Sequence, residues 1–310
     1  MKFNLRLRYR LIVLCTLILS CSGMNNPETN NGSEIEKWQL GWRMINSSWE
    51  KNYKLGEQQF DSLLKMPPPI EAKFIATGFE ILSKLGTDDK ITAVLNELDP
   101  QSLNEFCNSG LFSSERSGDP ICKSKAKEER IENKELQIEI IKMYLNDQSV
   151  RENVMNDIIA KYGLDQYELA KDPAAGVDLK NRDRLKEIIR DFGFPTRQLV
   201  GKDAMQGIFL IIQHSDGDKG WQKEQLPRIE EAVKKGDMDG QSYAYLYDRI
   251  KINGGEKQLY GTQFKNADPV NKTLELAETE DIENLDRRRM EVGMMPIKMY
   301  EQLMLRNLPK

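Results

Sequence analysis

The sequence predicts a mainly α-helical protein: a helical bundle with one β-hairpin near the C-terminus, preceded by a small N-terminal helical module. Apolar and aromatic residues recur at threes, fours and sevens through most of the chain, the period of a helix with one buried face. Proline and glycine interrupt that pattern at helix-sized intervals, and only Leu259 to Phe264 and Thr273 to Ala277 read as a pair of strands. With 310 residues, 39% hydrophobic and 30% charged, the chain can bury a core and solvate a surface.

The first 21 residues read as an export signal. Arg6, Arg8 and Arg10 precede the nine-residue apolar run Leu11 to Leu19. That run is too short for a hydrocarbon core of ~30 Å, which needs ~20 helical residues. Ile18-Leu19-Ser20-Cys21 resembles the lipobox of bacterial lipoproteins, in which cleavage precedes a cysteine that is then acylated. The expectation is a lipid on Cys21, a cell-envelope protein facing out of the cytoplasm, and the membrane as a partner through that lipid. Residues 22–33 are polar and rich in Asn, Gly and Pro, and read as a disordered tether. The leader holds four basic residues (Lys2, Arg6, Arg8, Arg10) and no acidic ones, so its removal leaves 41 basic against 49 acidic side chains, a net −8. Such a surface argues against nucleic acid as a partner.

An N-terminal helical module spans 34–122. From Glu34 to about Met66 the residues Trp38, Trp42, Ile45, Trp49, Tyr53, Phe60 and Leu63 form one helical stripe, read as core rather than as a ligand platform. Pro67-Pro68-Pro69 ends it by removing amide donors. Helices follow over about Ile70 to Leu85 and from Ile91 toward Pro100. Cys107 and Cys122 flank a polar loop, and outside the cytoplasm they are expected to pair, with a stabilisation of ~3 kcal/mol for a loop of this length.

The second domain spans about 130–305. Leu136, Ile140, Met143 and Tyr144 give a helical period running to about Tyr162, with Asp147 and Arg151 one turn apart on one face and Gln148 beside them. A helix from about Asp183 to Phe192 stops at Gly193-Phe194-Pro195. Lys202 to His214 contains MQGIFLIIQ, apolar nearly all round, and must be a central buried helix. Helices over about 221–235 and 241–252, the hairpin, and helices over about 280–292 and 296–305 complete the chain.

The ordered set Asp147-Gln148-x-x-Arg151, Gly193-Phe194-Pro195, Gln213-His214-x-Asp216, Tyr245-Leu246-x-Asp248-Arg249, Tyr260-Gly261-Thr262-Gln263 and Asp286-x-Arg288-Arg289-x-x-x-Gly293 resembles an uncharacterised bacterial domain of unknown function found in secreted and lipid-anchored proteins. Where that family carries Gly-Trp-Pro this chain has Phe194, which keeps an aromatic ring. The resemblance implies boundaries and candidate positions rather than chemistry.

The chemistry comes from the residues themselves. His214 is the single histidine and the natural general acid or base. Asp216 and Asp248 are candidate catalytic partners, able to orient it. Gln213, Arg249, Tyr260, Thr262 and Gln263 are candidate ligand-binding groups, with Asp147 and Arg151 as a far wall. No metal or cofactor is expected: Asp216-x-Asp218-x-Gly220 opens like a calcium loop, but Trp221 and Pro227 occupy the positions of the turn glycine and the bidentate Glu. Three expectations follow: a module binding a polar ligand or envelope component around His214, a cofactor-independent hydrolase or lyase with His214 as base, or a scaffold in which these side chains only satisfy one another.

Overall fold

A computed structural model describes residues 31–109, 111, 120–123, 130–151, 153–268 and 270–308. The signal segment, Cys21 and tether residues 22–30 lie outside the described residues. No helix among those described is long and apolar enough to cross a membrane. The described residues fall into two compact units, 31–123 with Met294–Tyr300, and 130–293 with 301–308.

In the first unit, α1 (Asn31–Trp49), α2 (Tyr53–Leu63), α3 (Ala72–Lys84), α4 (Asp88–Glu97), α5 (Pro100–Asn108) and the short α6 (Pro120–Lys123) follow one another. The aromatic stripe is the core, as its spacing implies: Trp38, Trp42, Phe60 and Leu63 are buried. Edge-on rings interlock, Trp42 with Phe74 at 6.0 Å, Phe60 with Phe79 at 6.1 Å and Phe79 with Phe106 at 5.2 Å between centroids. The stripe is not one helix, however. Lys51 has a left-handed φ of 58°, and Asn52 caps α2 by accepting from the Leu55 N–H, so the chain breaks between Trp49 and Tyr53 and leaves Trp49 37% exposed. Helix α1 also begins at Asn31, inside the stretch read as tether. Cys107 and Cys122 form the expected disulfide.

The second unit contains α7 (Lys134–Ser149), α8 (Asn156–Lys161), α9 (Ala174–Phe192), α10 (Arg197–Val200), α11 (Lys202–Gln213), α12 (Lys219–Lys234), α13 (Gly240–Asn253), the strands β1 (Phe264–Asp268) and β2 (Thr273–Leu276), and α14 (Leu285–Glu291); α15 (Ile297–Arg306) ends the described chain. Helix α11 is central: Ile208, Leu210 and Ile212 are fully buried, and α7, α9, α12 and α13 pack around it. The backbones of α7 and α11 come close at Gly207, where an added Cβ would stand 2.8 Å from the Cβ of Tyr144 on α7.

Three local expectations shift. The helix expected to run to Tyr162 ends at Ser149, so Arg151 lies just beyond its C-terminus. Helix α9 starts at Ala174 and ends at Gly193, whose φ of 75° an L side chain rarely adopts. The hairpin pairs Phe264–Asp268, not Leu259–Phe264, antiparallel with Thr273–Leu276, because the backbone of 259–262 is committed elsewhere.

Candidate functional site

Five of the six ordered motifs, all but Gly193-Phe194-Pro195, contribute to two assemblies, one on Arg249 and one on Asp248 of α13. The first is an ionic network at the C-terminal end of α11. His214, the C-cap of that helix, brings Nδ1 to 2.7 Å from Asp147 Oδ1 at the end of α7, and both side chains are only 1% exposed. Arg151 Nη1 lies 3.2 Å from the same Asp147 oxygen and donates to the Asp147 carbonyl at 2.7 Å. Its Nη2 reaches Asp178 Oδ1 on α9 at 2.6 Å. Gln148 Nε2 donates to Asp147 Oδ2 at 2.7 Å, and Asn153 Nδ2 donates to Gln148 Oε1 at 2.8 Å.

Two residues after His214, Asp216 receives a two-pronged contact from Arg249, with Nε donating to Oδ1 at 2.9 Å and Nη2 to Oδ2. Asn253 Nδ2 adds 3.2 Å and Gln222 Nε2 adds 3.4 Å, both to Oδ1. Arg249 is buried, whereas the Asp216 side chain is 37% exposed. The end of α11 thus carries two paired groups, a buried His214–Asp147 pair and an Asp216–Arg249 pair whose carboxylate meets solvent.

Electrostatics separate these acids. Burial pushes the Asp147 carboxyl up, but His214, Arg151 and Gln148 outweigh it and hold the group below the ordinary carboxylate value. Asp216 shows the same direction: burial opposes it, and the Arg249 pair, with smaller help from Gln222 and His214, brings it down. For Asp178 burial wins over Arg151 and the carboxyl lies above its usual value.

Asp147, Asp178 and His214 offer ligand atoms all within 4.8 Å of one another. The Arg151 guanidinium bonds both carboxylates, so a cation entering this triad would have to displace it.

The second assembly clamps the loop 258–262. Asp248 is fully buried and accepts from the N–H groups of Leu259 (2.7 Å), Tyr260 (3.0 Å) and Thr262 (2.9 Å) and from Thr262 Oγ1 (2.9 Å). Burial still raises its carboxyl above the usual range against these donors. From the opposite side Arg288 Nε donates to the Leu259 carbonyl at 2.9 Å and Arg289 Nη1 to the Tyr260 carbonyl at 2.6 Å. Gln258, fully buried, spans the base of the loop, donating to the carbonyls of Gln263 and Ala277 and accepting from the Gln263 N–H. The buried donors and acceptors of an irregular segment are thus paired by side chains, as burial requires.

The expected site residues divide accordingly. His214, Asp147, Arg151, Asp216 and Arg249 come together. Asp248, Tyr260, Thr262 and Gln263 belong to the loop clamp, with Gln263 Nε2 donating to Thr262 Oγ1 at 3.0 Å. The group that orients His214 is Asp147. Gln213 is buried, and its Oε1 has no hydrogen-bond partner among the described residues. Sequence reasoning missed Asp178, because the helix was expected to start at Asp183; the spacing of Val177, Asn181, Leu185 and Ile188, all buried on α9, is the signal that extends it back.

A family described as "Family of unknown function (DUF6624)" has a model that matches residues 134–307. No curated protein and no solved structure matches the chain.

Proposed function

Because the chain belongs to that family of unknown function, whose match contains both assemblies, we propose its role from the site and the leader: a lipoprotein exported from the cytoplasm, anchored through Cys21, whose C-terminal domain takes a polar ligand or envelope component at the network around His214. The basic n-region, short apolar run and Cys21 of the leader support the anchor.

One observation carries the ligand reading. Asp147, Arg151, His214 and Arg249 are buried; Asp178 joins the first three through Arg151, and Asp216 pairs with Arg249 two residues beyond His214. Buried ion pairs contribute little net stability compared with apolar residues of similar volume, so their concentration here points to a role other than holding the fold. The members that reach solvent are carboxylates, Asp216 at 37% and Asp178 at 17% exposure, while the guanidiniums lie inside. A ligand presenting N–H or O–H donors suits that rim.

The test is thermal unfolding of the full-length chain with putrescine, N-acetylglucosamine and inorganic phosphate as probes. Saturable stabilisation by an amine or a hydroxyl-bearing probe, lost in Asp216→Asn, supports the reading; a ligand at about 100 times its Kd adds about 2.7 kcal/mol. Stabilisation by none of them, or stabilisation that Asp216→Asn retains, counts against it. For the anchor, Cys21→Ser should release the chain from membranes, and unchanged fractionation would sink that part.

A second reading has its own support. A carboxylate on Nδ1 of a histidine is the arrangement by which acid–base catalysts fix an imidazole. In that reading the domain is a cofactor-independent hydrolase or lyase with His214 as general base and Arg249 facing developing negative charge.

A further inference from the structure

The contacts around Asp147 reach further than the His214 pair. Its Oδ1 faces His214 Nδ1 and Arg151 Nη1, and its Oδ2 accepts from Gln148 Nε2. The Gln148 amide is set by two partners at once: Asn153 Nδ2 donates to its Oε1, which leaves the Nε2 side turned to Asp147. Arg151 is held at both ends, to the Asp147 carbonyl and to Asp178 Oδ1. With donors on both oxygens Asp147 is an acceptor only, so a 2.7 Å contact with Nδ1 requires the proton to sit on the ring.

We propose that Gln148 and Asp178 are positioning residues that hold Asp147, directly and through Arg151, so that His214 carries its proton on Nδ1 and Nε2 is the ring atom that accepts a proton or hydrogen bond. Asp178 lies outside every motif of the sequence, and its contribution arises only because α9 carries it to the end of α7. The part of the claim that concerns a ligand at Nε2 rests on the function proposed above. The part that concerns the ring does not.

The single histidine makes the test direct. The full-length chain, without a histidine tag and labelled with 15N at histidine, gives one pair of imidazole nitrogens, whose shifts and couplings report which one is protonated. With the ring neutral, the wild type should show the Nδ1–H form in excess of about tenfold, the scale of a charge-assisted hydrogen bond. Asp178→Asn and Gln148→Met should each reduce that excess severalfold, and Asp178→Glu should restore most of it. A residue that only stabilised the fold would lower the unfolding midpoint and leave the ratio alone.

A wild-type ring protonated on Nε2 alone, an imidazolium at every pH where the chain stays folded, or an unchanged ratio in both folded variants overturns the proposal. If neither variant folds, Asp178→Ser and Gln148→Glu are read in their place, and an unchanged ratio in both also overturns it. The measurement needs no ligand. A wrong tautomer therefore leaves the ligand reading standing, and a probe panel that binds nothing leaves the tautomer assignment standing.

Discussion

His214 Nδ1 and Asp147 Oδ1 stand 2.7 Å apart, 67 residues apart in sequence and almost completely shielded from solvent. Two helix ends meet there: α11 finishes at His214, and α7 finishes two residues after Asp147. The partial negative charge at a helix C-terminus makes both ends unfavourable for a lone carboxylate, and Arg151 at the end of α7 compensates.

Removing Asp147 should be costly. Asp147→Ala takes the acceptor from His214 and one carboxylate from a buried guanidinium, and breaking a buried pair from one side destabilises by about 3–5 kcal/mol. Urea unfolding monitored by circular dichroism should show the midpoint fall by a large fraction of the wild-type value. An unchanged midpoint would mean that the pair is not formed in solution.

Asp248 should act through the fold. Asp248→Asn replaces an acceptor that faces three backbone N–H groups and a hydroxyl with a group that is half donor, leaving buried amides without a partner at about 1–3 kcal/mol each. Hydrogen exchange at Leu259, Tyr260 and Thr262 should accelerate in the variant, while the amides of α11 change only as far as global stability changes. Equal acceleration everywhere would contradict a local clamp.

The acid limb of stability should depend on Asp216. Its pKa is lower in the folded chain, so its contribution is present above the ordinary aspartate value of about 3.9 and is lost as the pH falls through the folded value. Asp216→Asn should therefore have a lower Tm at pH 7, with the gap to wild type closing below about pH 4. Asp147 shifts in the same direction, whereas Asp178 and Asp248 shift upward and oppose the trend. A gap constant from pH 3 to 7 would exclude the Asp216–Arg249 pair as its source.

Gly207→Ala should destabilise although alanine is the better helix former by about 1 kcal/mol. The new methyl would meet Tyr144 Cβ at 2.8 Å, an atom that cannot move without its backbone. Overpacking of this kind costs about 1–3 kcal/mol. A rise in Tm would show that α7 and α11 are farther apart than described.

The buried helix α11 and the aromatic core of the first unit were legible because each rests on local periodicity: MQGIFLIIQ has no polar face, and Trp38, Trp42 and Phe60 keep a helical period. The break after Trp49 was not, because it depends on the φ of Lys51, a residue with no breaker signal. The strand boundary failed for a long-range reason. Leu259 to Thr262 look like a strand, but Asp248, Arg288 and Arg289 take their backbone groups, and nothing near them in sequence announces it. Within the site, residue types singled out His214, Asp147, Asp216 and Arg249, which the fold joins as the pairs His214–Asp147 and Asp216–Arg249, whereas matching Asp147 rather than Asp248 with the imidazole required knowing where α7 ends.

The central claim is that the network around His214 exists for a ligand and not for the fold. It is tested most directly by replacing the network as a whole: Leu and Met in combination at Asp147, Arg151, Asp178 and His214, with equilibrium unfolding of the full-length chain as the measurement. Buried ionic groups kept for function can be exchanged for apolar residues without loss, and often with a gain of about 1–4 kcal/mol. The account predicts at least one combination that unfolds at the same or a higher denaturant concentration than wild type. If every combination folds several kcal/mol less stably, the network is part of the scaffold, and the claim is contradicted.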